Sequence, residues 1–518
     1  MAESGYWNRY WRRRISRRAL LGAGAVTAVG VASAAVVGCN DGGSGPTQTT
    51  PPTGSPVAAG TPRPGGRITQ GRLINALGID PHIDLTGWDI DQLMYTYLYS
   101  WRPSVEEIVT NNLVTEYELP DPLHFNFTLR QGVKVWPAPY GGPAADEELT
   151  SLDCKESFLR RGIALTAPDK RFPQRYLHGG GRLETPDPYT FNIVLDRPFV
   201  PALQDMANPT WAIVPAKIIE KYPNLGQVAF GSGPFMLEEF RGSERIILKR
   251  HPNFFLNPRP WLDEINIIVI TEGSSLLAAF RSGQHDVSGA VLTKADADDL
   301  MDDGDFVVDK FPSLFYPVIH LKIKRPPFDD PRVREAMDLA LDRDDFINVI
   351  WSGEGQYNGP IQWPQVKWAL PQNELRSFYR YDPERARQLL EEAGLPDGFK
   401  VKMKLPRLEG ASIIGDSAVV IKDQLSTVGI DVQLDEVELG AYIANVILPG
   451  NFDMTFFPNL PWDEPDRPLS FYHSLGVTGA GNWTNYTNPE LDKLIDAQAE
   501  EFDEEERIKI VLEAQRLI

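Results

Sequence analysis

"GPFMLEEFRGSERIILKRHPNFFLNPRPWLDEINIIVI", Gly233 to Ile270, packs two kinds of strand into one short stretch. Residues 233–240 and 245–251 flank Arg241-Gly242-Ser243-Glu244, a four-residue turn, and predict an antiparallel hairpin. A proline-rich interval follows. Glu264–Ile270 then carries a nearly continuous apolar run, which predicts a strand buried on both faces of its sheet. A hairpin feeding a buried strand is the mark of mixed α/β structure.

The same texture extends both ways along the chain. Upstream, Gly66–Gln70, His124–Leu129 and Thr190–Leu195 alternate as half-buried strands do. Downstream the helical period takes over. Asp330-Pro331 and Asp382-Pro383 each pair a cap with a first-turn proline, whose missing N–H has no partner to lose. Gly394 closes the second of these helices, and Gly429 closes the helix that runs from about Ser417. Asp503 caps the last helix, with Glu506 three residues on as for a capping box. That helix still carries its apolar face at Ile518, so closing elements are expected beyond it.

Toward the amino terminus, "SRRALLGAGAVTAVGVASAAVVGCN" spans Ser16–Asn40. Leu20–Gly38 nearly has the length of a spanning helix. It is built from small residues, however, and follows a basic segment with Arg9, Arg12, Arg13, Arg14, Arg17 and Arg18, as a signal peptide does. Ser16–Leu21 resembles a twin-arginine export signal, and Val36-Val37-Gly38-Cys39 a lipobox whose cysteine receives lipid. An uncleaved anchor is the other reading. Both put the body outside the cytoplasm. Asn40–Gly66, rich in Gly, Pro, Ser and Thr, is a tether; as a coil of about 27 residues it would span roughly 28 Å.

The whole chain has 518 residues, too many for a single core, and a net charge of −20, the wrong sign for a nucleic-acid binder. Of its two cysteines, Cys39 and Cys154, lipidation would leave Cys154 as a lone, buried thiol. The body has no H-E-x-x-H, no G-x-S-x-G and no phosphate-binding G-x-x-x-x-G-K-[ST] motif. Its seven histidines are scattered, with no two at metal-ligand spacing on a helix. Asp296–Phe306 is acidic but lacks the glycine and closing glutamate of a calcium loop; it reads as a solvated helix and turn. No enzyme activity, metal or cofactor is expected.

Seven stretches in order resemble the extracytoplasmic solute-binding proteins of ABC importers, in the dipeptide, oligopeptide and nickel family. They are Phe125–Trp136, Gly231–Phe240, Arg250–Ile267, Leu276–Val287, Pro327–Gly355, Tyr381–Phe399 and Asn485–Gln498. The resemblance covers nearly everything from Gly66 to Ile518. It implies a two-lobed periplasmic-binding-protein-like α/β fold with an extra subdomain in the first lobe. Residues 1–38 would then be the signal peptide, 39–66 the lipidated cysteine and tether, 67–268 lobe one and 269–518 lobe two. The first crossover would fall around Ile267–Thr271, and the closing strands of lobe one beyond residue 518. The turn residues Gly231, Gly233 and Pro234, and the crossover acids Asp263 and Asp286, are expected to serve structure.

By that resemblance the ligand is held between the lobes and delivered to permease subunits with associated ATPases, by a monomer. "NLPWDEPDRPLSFYH", Asn459–His473, matches the region where peptide-binding relatives place an aspartate on the ligand's amino terminus. Direct register puts Pro461 there; a local gap brings in Asp463. Asp463 and Asp466 are therefore the candidate ammonium partners, or else caps of this proline-rich loop. Trp462, Trp363, Tyr357 and Trp88 lie in segments that border the cleft in relatives, and each could equally be core. A small peptide is the expected ligand, with an oligosaccharide or other solute as alternative. The functional rivals are a secreted hydrolase on this scaffold and a ligand sensor or chaperone without a transporter.

Overall fold

A computed structural model describes residues 62–518 except 85, 103–106, 111, 165–170, 178, 291, 311–315, 364, 366, 408–411, 460–463 and 479–480. Cys39, the leader and most of the tether lie outside the described residues, as do Trp462 and Asp463. Among the described residues no helix is long and apolar enough to cross a membrane.

The chain begins with β1 (Arg67–Arg72) and α1 (Trp88–Met94), then a small hairpin, β2 (Ser100–Arg102) and β3 (Glu107–Val109). Next come β4 (Val114–Asp121), β5 (His124–Leu129), α2 (Ser151–Ala164), α3 (Arg171–Leu177), β6 (Arg182–Asp187) and β7 (Thr190–Val194). The strands of this group form an antiparallel sheet in the order β4-β5-β7-β6, packed on α2 and α3. The expected hairpin follows as β8 (Phe235–Arg241) and β9 (Arg245–Arg250), then β10 (Glu264–Val269), α4 (Gly273–Arg281) and β11 (Val287–Ser288). These close a five-stranded mixed sheet ordered β11-β1-β10-β9-β8. One continuous core joins both sheets, running from Phe127, Phe191 and Phe158 to Ile246, Leu248 and Ile267.

Two expectations are corrected here. In β10, Ile265 and Ile267 are buried while Ile268 and Val269 are half covered, because only one face of this sheet meets the main core. The other face carries a small patch built around Leu73 and Leu276. The crossover does not fall at Ile267–Thr271 either. α4 turns the chain back so that β11 pairs with β1, Gln70 opposite Val287, before the chain leaves the sheet.

It leaves through α5 (Lys294–Asp303), the acidic helix, which is closed by Gly304 in a left-handed conformation. It enters a second sheet at β12 (Tyr316–Leu321). There follow α6 (Pro331–Leu339), α7 (Pro383–Glu392), β13 (Phe399–Arg407), α8 (Ser412–Ser426), β14 (Ile430–Glu438) and β15 (Met454–Asn459), ordered β12-β15-β13-β14. Met403, Leu405, Ile430, Val432, Met454 and Phe456 form its inner face against α6, α7 and α8. Asp330 and Asp382 cap α6 and α7 as read from sequence. The chain ends with α9 (Asp466–Ser470), α10 (Pro489–Glu500) and α11 (Glu504–Leu517). Asp503 caps α11 alone; Glu506 pairs with Lys509 instead of closing a capping box.

The smaller sequence features serve structure. Gly231 and Gly233 press so closely on Met94 that a Cβ on either would lie within 2.0 and 2.4 Å of its backbone. Asp263 accepts a hydrogen bond from the Gly66 N–H at 3.1 Å, and Asp286 from the Thr69 N–H at 2.7 Å. Cys154 is fully buried, and burial pushes its thiol pKa well up.

Candidate ligand-binding cleft

Ligands of open α/β sheets bind outside the carboxyl ends of the strands, where loops diverge and N–H groups and side chains are free to point outward. In the first sheet β1 runs parallel to β10 and β11. In the second, β13 runs parallel to β14 and β15. The loop leaving β1 meets the turn leaving β14: a Cβ on Gly440 would stand 3.5 Å from Leu77 Cδ1. The two sheets therefore face each other with their carboxyl ends, and the space between them is the candidate site.

On the first side, the segment after β1 is folded back on itself. Arg72 donates to the Thr86 carbonyl and pairs with Asp89, and the Leu77 N–H donates to Thr86 Oγ1 at 2.9 Å. This places Trp88, half-buried, at the first position of α1. One turn on, Asp91 is fully buried and neither carboxylate oxygen has a hydrogen-bond partner among the described residues. Burial, reinforced by Asp84 and Asp80, pushes its pKa well up. Deeper in, Asp80 is held by Arg160 at 2.5 Å and accepts from the Leu225 N–H at 3.1 Å.

On the second side, β15 ends at Asn459, opposite Tyr316 of β12. The Tyr316 hydroxyl donates to the Pro360 carbonyl at 3.2 Å, which brings the 357–363 loop to the same sheet end. Trp363, half-buried, is fixed by its N–H on Asn358 Oδ1 at 2.6 Å. Tyr357 is buried in a cluster with Ile347, Leu370 and Leu375, stacked on Tyr379 with Arg376 4.3 Å above its ring.

Beyond 460–463 the chain is anchored by charge. Glu464 is ion-paired with Arg507. Asp466 is buried; its Oδ1 pairs with Arg171 at 3.1 Å and accepts from Gln498 Nε2 at 2.6 Å. Arg161 is tied to the His82 carbonyl and to Thr210 Oγ1 at 2.8 and 2.9 Å. Burial lowers its pKa to about 9, and burial together with Arg161 does the same to Arg467. Burial pushes Asp205 up to about 7, with Arg161 opposing and Asp466 and Glu464 adding. Acids and arginines from both bodies thus form one polar belt. Nothing in "RFPQRYL" or "ALQD" marks Arg171 or Asp205 for this belt; only the packing of α3 and of residues 202–205 brings them in.

Among the described residues no group of three or more His, Cys, Asp or Glu could hold a metal ion. The arrangement suits a small polar solute enclosed between two bodies.

Comparison with known proteins agrees. The model for "Bacterial extracellular solute-binding proteins, family 5 Middle" matches residues 109–482. The chain belongs to this family: it is an extracytoplasmic solute-binding protein of the peptide and nickel ABC-importer class, a binding protein and not an enzyme. The glutathione-binding protein GsiB of Salmonella paratyphi A is 26% identical over 429 residues, covering 79% of this chain and 78% of its own. The oligopeptide-binding protein AppA of Bacillus subtilis is 25% identical over 469 residues, covering 85% and 81%. The ABC transporter-associated periplasmic binding protein DppA of Helicobacter pylori, solved with the peptide STSA, superposes with a TM-score of 0.75 at 25% identity. That match covers 88% of this chain and 91% of DppA. Membership makes permease subunits and their ATPases the partners of this chain.

Proposed function

We propose that this protein captures a small peptide between its two lobes and delivers it to a membrane permease while tethered by lipid on Cys39. The observation that carries the reading is the belt of acids and arginines drawn from both bodies, with Glu464 and Asp466 just past the carboxyl end of β15; Trp88 and Trp363 are the proposed aromatic walls. A free peptide is a zwitterion, and a site with acids and arginines from both bodies can meet each end with opposite charge. The names of relatives support the peptide class: glutathione for GsiB, oligopeptides for AppA, STSA for DppA. Closure would desolvate the ligand, and the closed form would be the one that docks on the permease.

Asp463 is the proposed partner of the ligand ammonium, beside Trp462, with Asp466 as the runner-up. Copurifying ligand is to be identified by native mass spectrometry and titrated calorimetrically into wild type and two variants. Asp463→Asn should weaken binding about thirtyfold or more, since losing one partner of a buried charge pair costs about 2–5 kcal/mol. A large loss confined to Asp466→Asn would move the role there. Equal affinities in all three would sink both acids as ligand partners and turn the reading toward an uncharged solute.

The anchor is tested separately. Cys39→Ser is expected to leave the protein in the soluble fraction or unprocessed. Undiminished membrane association of a processed Cys39→Ser protein would refute lipidation.

A further inference from the structure

We infer that Arg171 is a positioning residue for ligand capture: it reaches from α3, beside the extra sheet, and holds the segment that carries the proposed ligand acid. The inference rests on the reading of residues 460–466 as the ligand loop. Arg171 Nη2 pairs with Asp466 Oδ1 and donates to the Ile495 carbonyl, both at 3.1 Å, and Nη1 donates to Asp496 Oδ1 at 3.1 Å. The Arg171 and Asp466 side chains are only 10% and 7% exposed, so water screens their attraction little. Asp496 is itself backed by His473, whose Nε2 lies 3.5 Å from its other oxygen.

Two further contacts tie the first body to the carboxyl-terminal end of α10, one from α3 and one from the segment after β7. Arg175, one turn further along α3, pairs with Glu500 at 3.4 Å, and the Val200 N–H donates to the Ala499 carbonyl at 2.7 Å. α10 therefore lies as a strut between the two bodies. Asp466 is only three residues from Asp463, so the carboxylate clamped by Arg171 fixes the root of the ligand loop from the opposite body. A single planar guanidinium meets both acids and a carbonyl at once, a geometry that an ammonium cannot reproduce.

The test uses the full chain in detergent, as wild type, Arg171→Met and Arg171→Lys, with glutathione and the dipeptide Met-Leu as probes. Hydrogen exchange without probe is measured first, in α9 and α10. Arg171→Met should exchange at least tenfold faster there and leave the β8–β9 hairpin unchanged. Calorimetry should then show at least tenfold weaker probe binding in Arg171→Met, with partial recovery in Arg171→Lys. Should Arg171→Met fold poorly, Asp496→Asn, at a half-exposed position, is expected to give the same pattern at smaller size. Unchanged exchange in α9 and α10 overturns the inference whether or not a probe binds. Faster exchange with wild-type affinity for a bound probe also overturns it, since the arginine is then structural only. If neither probe binds wild type, the peptide reading of these probes fails, while the exchange result still judges the clamp.

Discussion

Arg507→Met should destabilise the protein by about 3–5 kcal/mol, measured by urea unfolding at pH 8. Arg507 is 6% exposed and pairs with Glu464 at the root of the ligand loop. Its Nε also donates to the Gln498 carbonyl at 2.9 Å, its Nη2 to Gln498 Oε1 at 2.8 Å, and its guanidinium lies 5.1 Å from the Trp368 ring. Methionine keeps much of the bulk, so the loss isolates the charge and its hydrogen bonds. The cost comes from leaving the Glu464 carboxylate buried and alone.

The pH dependence follows from the same residue. Burial pushes Glu464 from its ordinary 4.5 up to about 7, with Asp466 adding and Arg507 opposing. Without Arg507 it moves higher still. A group whose folded pKa is raised contributes stability below its unfolded value and loses it as pH rises through the folded one. The deficit of Arg507→Met should therefore be smaller at pH 5, where Glu464 is neutral, than at pH 8. Glu464→Gln in the Arg507→Met background should restore part of the loss at pH 8. A deficit under about 1 kcal/mol at both pH values would mean that the pair contributes nothing net.

Phe158→Ala is expected to cost a further about 3–5 kcal/mol, for a different reason. Phe158 is fully buried on α2, with ring centroids 4.8 Å from Trp211, 5.3 Å from Phe191 and 6.3 Å from Tyr176. Phe172 lies 5.7 Å from the same Trp211 ring and stacks on Phe199 at 5.8 Å, so several rigid rings share the space. Rings held on separate elements cannot collapse into the void, so the cavity persists and its lining loses contacts. Phe158→Leu refills most of the volume and should cost under about 1.5 kcal/mol. Equal melting temperatures for wild type and Phe158→Ala would show that this region relaxes freely.

Much of the fold was legible because its signals are local. The hairpin at Arg241–Glu244 follows from turn chemistry, and the starts of α6 and α7 follow from an aspartate next to a proline, interactions that span four residues or fewer. The order of seven weak motifs identified the family. The site was less legible. Tyr357 reads equally as pocket or core, since aromatic character is the same in both; in the structure it is buried and stacks on Tyr379. Asp466 read as a ligand acid or a cap, and its first partners in the structure are Arg171 and Gln498.

The crossover marks the division most plainly. Glu264–Val269 and Val287–Ser288 both read as chain near a domain boundary, yet which sheet Val287 joins depends on the free edge of β1, laid down more than 200 residues earlier. The sequence by itself determined periodicity, caps, turns, the absence of catalytic motifs and the family, because each is written in neighbouring residues or in their order. Only the tertiary structure decided which charges meet. Arg171 reaches Asp496 across 325 residues of chain, and ion pairs form where packed elements bring low-dielectric surfaces together, a condition that no local pattern records.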